Sequence, residues 1–166
     1  MPAEIQHPFP APFDRFETII RPEWIDANGH MNLAYYVVVF DLATAALFDA
    51  LGIEPLDDEN KRFGIFAAET HTLYEREVRE GERVRVASQL VGADVKRLHV
   101  VHEMFHVEGG RRLAMQEIMF LHVDLSLRRV VPFPSASQSA IGAGIAAHAA
   151  LARPAGIGRR IAAIGD

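Results

Sequence analysis

Length, composition and charge exclude several classes of protein before any motif is considered. The chain has 166 residues and a mass of 18.4 kDa, enough for one domain with a sizeable core, and its 49% hydrophobic and 23% charged residues exclude a disordered chain. A formal net charge of −5 argues against a nucleic-acid partner, and the absence of cysteine excludes disulfides, thiolate metal sites and cysteine nucleophiles.

The first residues predict an extended lead-in, residues 1–13, and no targeting signal. They hold several prolines and an early acid, Glu4, where a signal peptide has a basic start and an apolar core. The most apolar segment, residues 33–51, contains Asp41 and Asp49. Because an acid in mid-membrane costs roughly 2.5–3.5 kcal/mol, we expect no membrane span and a cytoplasmic protein.

One long helix is predicted early in the domain. A short strand over residues 16–21 is stopped by Pro22, and residues 33–51 are apolar on every side up to Gly52, which suits a left-handed helix cap. A helix without a polar face should be buried on nearly all sides. Asp49, near the end of this helix, is expected to be solvated.

The sequence then changes to the period of β-strands. Four long strands, separated by short hairpin-type turns, are predicted over residues 64–78, 82–92, 96–107 and 112–125. A second helix follows, with Ser135 and Gln138 as its capping box and Ile141, Ile145 and His148 on one face.

These elements predict an α+β domain over residues 14–152, followed by a loose tail over residues 153–166. A meander of antiparallel strands and one wholly apolar helix can bury each other if the twisted sheet curls around the helix. The second, alanine-rich helix should pack outside the sheet.

The segment before the long helix carries the motif Asp26-Ala-Asn-Gly29-His30-Met31-Asn32-Leu-Ala-Tyr-Tyr36, with Asp41 five residues later. It resembles the signature of hotdog-fold acyl-CoA thioesterases of the 4-hydroxybenzoyl-CoA thioesterase type. The resemblance covers roughly residues 14–134, through "THTLYEREVREGERVRVASQLVGADVKRLHV" and "LAMQEIMFLHVD". "KRLH" and "LHVD" are similar to the branch that includes the betainyl-CoA thioesterases of carnitine breakdown.

This resemblance implies the hotdog fold, in which a curved sheet wraps a long central helix. It also implies a coenzyme A thioester as substrate, no metal or other cofactor, and a homodimer or homotetramer with active sites at a subunit interface. Asp26 would be the general base or the nucleophile. Asp41 is the second candidate, because some hotdog enzymes take their acid from this helix and a buried carboxylate needs a partner or a role.

Thioester hydrolysis also needs donors that hold the charge developing on the carbonyl oxygen. Free amides at a helix N-terminus supply them, here residues 31–34, with Asn32 as the helix cap. His30 would orient Asp26 or contact the substrate; a hydrogen bond to the loop backbone is the alternative. The predicted catalytic residues are therefore Asp26, His30, Asn32 and Asp41, and the predicted substrate-binding residues are Gly29, Met31, Leu33, Tyr36, Lys96 and Arg97.

Several of these residues have equally plausible structural roles. Tyr36 can be a core residue with its hydroxyl hydrogen-bonded, and Gly29 an ordinary loop glycine. Lys96 and Arg97, like Arg111 and Arg112, can bind phosphates or serve as ordinary turn residues. Trp24 and Phe40 can form an aromatic wall of the pocket or belong to the core. Glu69 and His71 can line the pocket or lie on the solvent face, and Glu117 is expected to be buried and paired.

Two predictions concern metals and competing activities. His99, His102, His106 and His122 form no compact ligand pair of the helical HExxH kind, so we expect no zinc site. A non-hydrolytic acyl-CoA-binding or regulatory protein is the main alternative function. A hotdog hydratase or dehydratase would require a differently spaced motif.

Overall fold

The computed structural model describes residues 9–53 and 62–164, which form a curved antiparallel sheet around one long helix. A single 3-10 turn, Pro22–Trp24, precedes the long helix. The elements in chain order are β1 Phe13–Ile19, α1 Leu33–Ala50, β2 Phe63–Tyr74, β3 Arg83–Ala93, β4 Arg97–His106, β5 Arg112–Asp124, β6 Arg129–Val130 and α2 Ser135–His148.

The sheet has the order β1-β3-β4-β5-β2, and the short β6 pairs with β5. Strands β3, β4 and β5 form consecutive hairpins, and β2 returns to lie beside β5, with Tyr74 opposite Ala114. The predicted meander is confirmed for β3, β4 and β5, with strand limits shifted by a few residues. Its first strand is a correction: β2 pairs with β5 and not with β3, so residues 75–82 do not form a hairpin turn. Strand β6 was not predicted, because two residues are too short to show a period.

Helix α1 packs with one face against the concave side of the sheet. Val39, Phe40, Ala43 and Leu47 on this face are fully buried. The predicted helix limits are confirmed: the Asn32 side chain accepts a hydrogen bond from the Ala34 N–H at the start, and Gly52 has φ +61° after the end.

The prediction that α1 is buried on nearly all sides is wrong for a single chain. Leu33, Val37, Val38 and Leu42 form an apolar stripe that is between 40% and 62% exposed. Asp41 and Asp49 lie on the same open half of the helix. By length and composition alone α1 could also span a membrane, but its packing against β1, β3 and β4 is that of a core helix.

Helix α2 packs on β3, and the predicted capping box does not form. Pro134 is the N-cap, without a side-chain cap, and the Gln138 side chain donates instead to the Phe133 carbonyl. At the other end, His148 accepts from the Leu90 N–H at 2.9 Å and contacts the Pro10 carbonyl at 2.7 Å. This imidazole joins α2 to β3 and to the segment before β1.

The residues after α2 cross to the convex side of the sheet. The Ala155 carbonyl accepts a hydrogen bond from Arg112, and the Gly158 N–H donates to Glu117 at 2.7 Å. Gly156, at φ +107°, lies so close to Leu73 and Met115 that a Cβ there would sit 2.8 Å from each side chain. These contacts hold residues 155–158 against β5.

Candidate active site

The loop before α1 is a tight turn fixed to its surroundings by backbone hydrogen bonds. The Gly29 N–H donates to the Asp26 carbonyl at 3.0 Å, and Gly29 adopts φ +78°, which favours glycine. On either side of the turn, Met31 donates to Val78 and Asn32 donates to Trp24. The turn therefore presents the Asp26 side chain from a rigid base.

The half-buried Asp26 carboxylate has one oxygen engaged and one nearly free. Oδ1 accepts from the Asn28 N–H at 2.8 Å, while Oδ2 has only a contact of 3.4 Å with the Asn32 side-chain amide. The carboxylate lines an open cleft of about 380 Å³. The residues lining this cleft are Asp26, Asn28, His30, Met31, Asn32, Leu33, Tyr36, Tyr74, Glu75, Arg76 and Glu77.

Only one of the four amides predicted as oxyanion donors is available. The amides of Met31, Asn32 and Ala34 already donate to Val78, Trp24 and the Asn32 side chain. The Leu33 N–H, at the first position of α1, has no partner among the hydrogen bonds of residues 9–53 and 62–164. It lies at the positive end of the helix dipole, and Leu33 is one of the residues that line the cleft with Asp26.

The other motif residues support this geometry. Asn32 caps α1, as predicted, and its amide approaches Asp26. His30 contacts the Met31 carbonyl at 3.4 Å, which is the predicted alternative of a backbone contact. The Tyr36 hydroxyl donates to the Arg76 carbonyl at 3.0 Å, and burial raises its pKa to about 12, so it remains a neutral donor.

Three predicted site residues lie elsewhere in the chain. Asp41 is exposed on α1 and does not line the cleft, because it lies on the open half of the helix and not between helix and sheet. Arg97 is ion-paired with Asp94 at 2.7 Å beside a second cavity of about 240 Å³, and Lys96 is in the same turn.

The sheet register places that turn far from the cleft. Tyr74 pairs with Ala114 on β5, whereas Arg97 pairs with Leu121. Seven strand residues separate the two positions, roughly 23 Å. Arg112 is also engaged: it binds Glu75, Glu103 and the Ala155 carbonyl, and its hydrogen bonds to Glu75 raise its pKa.

The wall of the cleft opposite Asp26 was not predicted. It is formed by the end of β2 and the following residues, Tyr74, Glu75, Arg76 and Glu77. Of the two alternatives for Trp24 and Phe40, the core role is confirmed: both are buried, Trp24 stacked on Tyr35 and Phe40 on His102, and neither lines the cleft. The segment "LYERE" was part of the family resemblance, but only the folded register brings Tyr74 over Tyr36.

Two of the acids and histidines outside the cleft, His102 and Glu117, have structural partners. His102 is fully buried between the hydroxyls of Ser88 and Thr44, and burial lowers its pKa to about 3. Glu117 is paired, as predicted, with His99 at 2.8 Å, and Glu69 is on the solvent face. No group of three or more His, Asp or Glu side chains in the described part of the chain is arranged to hold a metal ion.

Comparison with known proteins places this geometry in a family context. The sequence model of the thioesterase-like superfamily matches residues 20–141. The betainyl-CoA thioesterase of Pseudomonas aeruginosa is 40% identical over 146 residues, which cover 88% of this chain and 92% of that protein.

Two further relatives share most of this chain. The L-carnitine dehydrogenase/betainyl-CoA thioesterase of a Rhizobium species is 30% identical over 89% of this chain, and the match spans 30% of that longer protein. A proposed thioesterase from Pseudomonas putida KT2440 has a solved structure with a TM-score of 0.81 and 32% identity, covering 93% of this chain and 98% of that one.

Proposed function

Because the chain belongs to the thioesterase-like superfamily and is a thioester hydrolase, we propose that it hydrolyses an acyl-CoA with Asp26 as the general base and the Leu33 N–H as the oxyanion donor. The observation that carries this proposal is their position in one cleft: a carboxylate with one nearly free oxygen and an unpaired helix N-terminal amide. Both groups are required for attack on a thioester carbonyl.

The proposed reaction consumes one water molecule. Asp26 takes a proton from the water as its oxygen bonds to the carbonyl carbon, and the Leu33 N–H donates to the resulting oxyanion. The carbon–sulfur bond then breaks, and the proton passes from Asp26 to the departing coenzyme A thiolate, giving the free thiol and a carboxylic acid, which releases its remaining proton to solvent. Asn32 would hold both groups in place, since its side chain contacts Asp26 and caps α1.

Direct attack by Asp26 on the carbonyl carbon is the alternative route to the same products. A single turnover in isotopically labelled water separates the two. With water as nucleophile the first product acid carries the label. With Asp26 as nucleophile a mixed anhydride forms, and the first product carries an enzyme oxygen when water opens that anhydride at the Asp26 carbonyl carbon. We expect label in the first turnover.

We also propose that the functional unit contains at least two copies of the chain. The apolar stripe of Leu33, Val37, Val38 and Leu42 begins at the cleft, and β2 is a sheet edge that ends there with Tyr74. A second copy covering both would bury the stripe and complete the wall of the cleft. Light scattering should give a mass of two or four times 18.4 kDa.

The proposed substrate is a betainyl-type thioester, the acyl group named for the relative with 40% identity. The test is release of coenzyme A thiol from a panel of betainyl-, short-chain, fatty and aromatic acyl-CoAs. The chain has no cysteine, so a thiol reagent reports only the product. Turnover of at least one thioester is expected. Calorimetric binding of acyl-CoA without thiol release would contradict hydrolysis and support the non-hydrolytic alternative.

A further inference from the structure

The cleft around Asp26 is lined by more acids than hydrolysis requires. Its charged side chains are three carboxylates, Asp26, Glu75 and Glu77, against one guanidinium, Arg76, a formal charge of −2 with His30 neutral. Arg112 and Arg79, which bind Glu75 and Glu77, are not among the lining residues. These two guanidinium groups offset part of the charge of Glu75 and Glu77, whereas Asp26 has no cationic partner among the described residues. The Asp26 carboxylate therefore favours a cation over an anionic acyl group in the cleft.

An aromatic pair lies at the same wall. Tyr74 is 48% exposed and meets Tyr36 edge to face, with ring centroids 5.3 Å apart and an interplanar angle of 86°. Tyr36 is fixed by its hydroxyl, which donates to the Arg76 carbonyl at 3.0 Å. The fixed ring holds the exposed ring of Tyr74 in position, so that Tyr74 presents a π surface inside a negatively charged cleft.

From this juxtaposition we propose that Tyr74, supported by Glu77 and by Asp26 itself, selects acyl groups that carry a quaternary ammonium next to the thioester carbonyl. The inference rests on the proposed hydrolysis at Asp26. A quaternary ammonium has no N–H to donate, so carboxylates alone cannot orient it, whereas the face of an aromatic ring attracts it without a hydrogen bond.

Covalent geometry requires this recognition site to lie beside the reacting carbon. A nitrogen separated from a carbonyl carbon by one methylene lies roughly 2.5 Å from it, as the backbone nitrogen does from its own carbonyl carbon. When the carbonyl is held between Asp26 and the Leu33 N–H, the cation must therefore occupy the same cleft. Its attraction to the Asp26 carboxylate then also draws the reacting carbon toward the base.

The test compares betainyl-CoA with its neutral carbon isostere, 3,3-dimethylbutanoyl-CoA, which has the same shape without the charge. For the unmodified protein we expect kcat/KM to be at least about ten-fold higher for the cationic thioester. Tyr74→Leu should lower kcat/KM for betainyl-CoA by about three- to thirty-fold and leave that for the neutral isostere within about two-fold. Tyr74→Phe, which keeps the ring, should retain the preference.

Two further variants complete the design. Glu77→Gln should lower kcat/KM for betainyl-CoA several-fold, and the difference should shrink in high salt because it arises from charge. Tyr35→Leu is the matched aromatic control: Tyr35 stacks on Trp24 and does not line the cleft. The ratio of kcat/KM for the two thioesters should be unchanged in Tyr35→Leu.

Three results would overturn the inference while leaving hydrolysis intact. The first is equal turnover of the two thioesters by the unmodified protein, and the second is turnover of other acyl-CoAs but not of betainyl-CoA. The third is an equal loss for both thioesters in Tyr74→Leu, which would mean that Tyr74 only shapes the cleft. Absence of turnover with every acyl-CoA is a different outcome, since it contradicts the proposed hydrolysis itself.

Discussion

His102 and Asp26 are both surrounded by hydrogen-bonding groups, yet only Asp26 keeps an atom that is free to bind a substrate or a water molecule. The His102 imidazole contacts Ser88 at 2.8 Å and Thr44 at 2.9 Å, stacks on Phe40, and is 0% exposed. A histidine beside a serine hydroxyl is the arrangement of a nucleophile and its base. Here both ring nitrogens are engaged and the ring is kept neutral by burial, with its pKa lowered to about 3.

Asp26 differs from His102 because one of its oxygens lacks a close hydrogen-bond partner and because it lies beside a cavity. One of its oxygens is nearly free, the Leu33 N–H has no partner in the described residues, and both line a cleft of about 380 Å³. Residue types in contact therefore do not by themselves define a reactive site. A polar cluster that is fully satisfied and closed stabilises the fold, whereas an incompletely satisfied one beside a cavity can bind and transform a substrate.

Replacing the carboxylate should give the largest effect. Asp26→Asn keeps the acceptor for the Asn28 N–H but removes the base, so we expect kcat to fall by about 10²–10⁴-fold with the melting temperature nearly unchanged. Asp49→Asn, at an exposed acid near the end of α1, is the control and should keep full activity. An Asp26→Asn variant with more than a tenth of the original kcat would contradict the assignment.

The buried cluster should respond in stability and not in catalysis. His102→Leu leaves the Ser88 hydroxyl without its partner, and we expect a loss of about 1–3 kcal/mol in the free energy of unfolding, with kcat/KM per folded molecule within about two-fold. Adding Ser88→Ala removes the orphaned hydroxyl and should restore part of the stability. A loss of catalysis in the folded His102→Leu variant would mean that the two clusters are not separate.

The same histidine predicts a pH dependence of stability. The pKa of His102 is about 3 in the folded chain and 6.5 as a free side chain, so only the unfolded chain binds a proton between these values. Stability should therefore be constant above pH 6.5 with respect to this group and fall as the pH drops toward 3, by up to about 1.4 kcal/mol per pH unit.

Denaturant titration of the native protein and of His102→Leu at several pH values gives the free energy of unfolding. The contribution of His102 is the difference between the two proteins in the slope of this free energy against pH. His148, whose pKa is also lowered by burial, contributes in both proteins and cancels in the comparison. Equal slopes below pH 6.5 in the two proteins would show that His102 is not the buried neutral base described above.

The smallest effect is expected at the helix cap. Asn32→Ala removes the acceptor of the Ala34 N–H and should cost about 1 kcal/mol in the free energy of unfolding, while Asn32→Ser should restore most of it. Because Asn32 also approaches Asp26, kcat should fall in Asn32→Ala, by much less than in Asp26→Asn. If both the free energy of unfolding and kcat are unchanged in Asn32→Ala, then Asn32 neither stabilises the start of α1 nor contributes to catalysis.

Most of the fold could be predicted because hydrophobic periodicity and the residues that cap helices or form turns are local properties of the sequence. Neighbouring residues determine the limits of α1, with Asn32 as its cap and Gly52 in the left-handed conformation after its end. The hairpin turns were predicted from short glycine-containing segments. The family resemblance supplied the fold and the class of enzyme, and both are confirmed by the relatives.

The incorrect predictions, apart from the capping box, depended on distant contacts. Burial of α1 on every side was inferred from its composition, but a single sheet covers only one of its faces. The Gln138 side chain found a better partner in Phe133 than in a capping box. Two of the amides at residues 31–34 are occupied because they donate to the carbonyls of Val78 and Trp24. The position of Tyr74 at the site depends on the register of β2 on β5.

The role of the Leu33 N–H as oxyanion donor is tested by removing this amide. Leu33→Pro removes the N–H at the first helical position, where proline is tolerated, and Asn32 already has the extended ψ of 145° that a following proline requires. We expect kcat to fall by about 10²–10³-fold in Leu33→Pro with the fold retained, while Leu33→Ala, which loses the side chain and keeps the amide, stays within about three-fold. Equal kcat values in the two folded variants would contradict the account, because the unpaired amide would then have no part in the reaction.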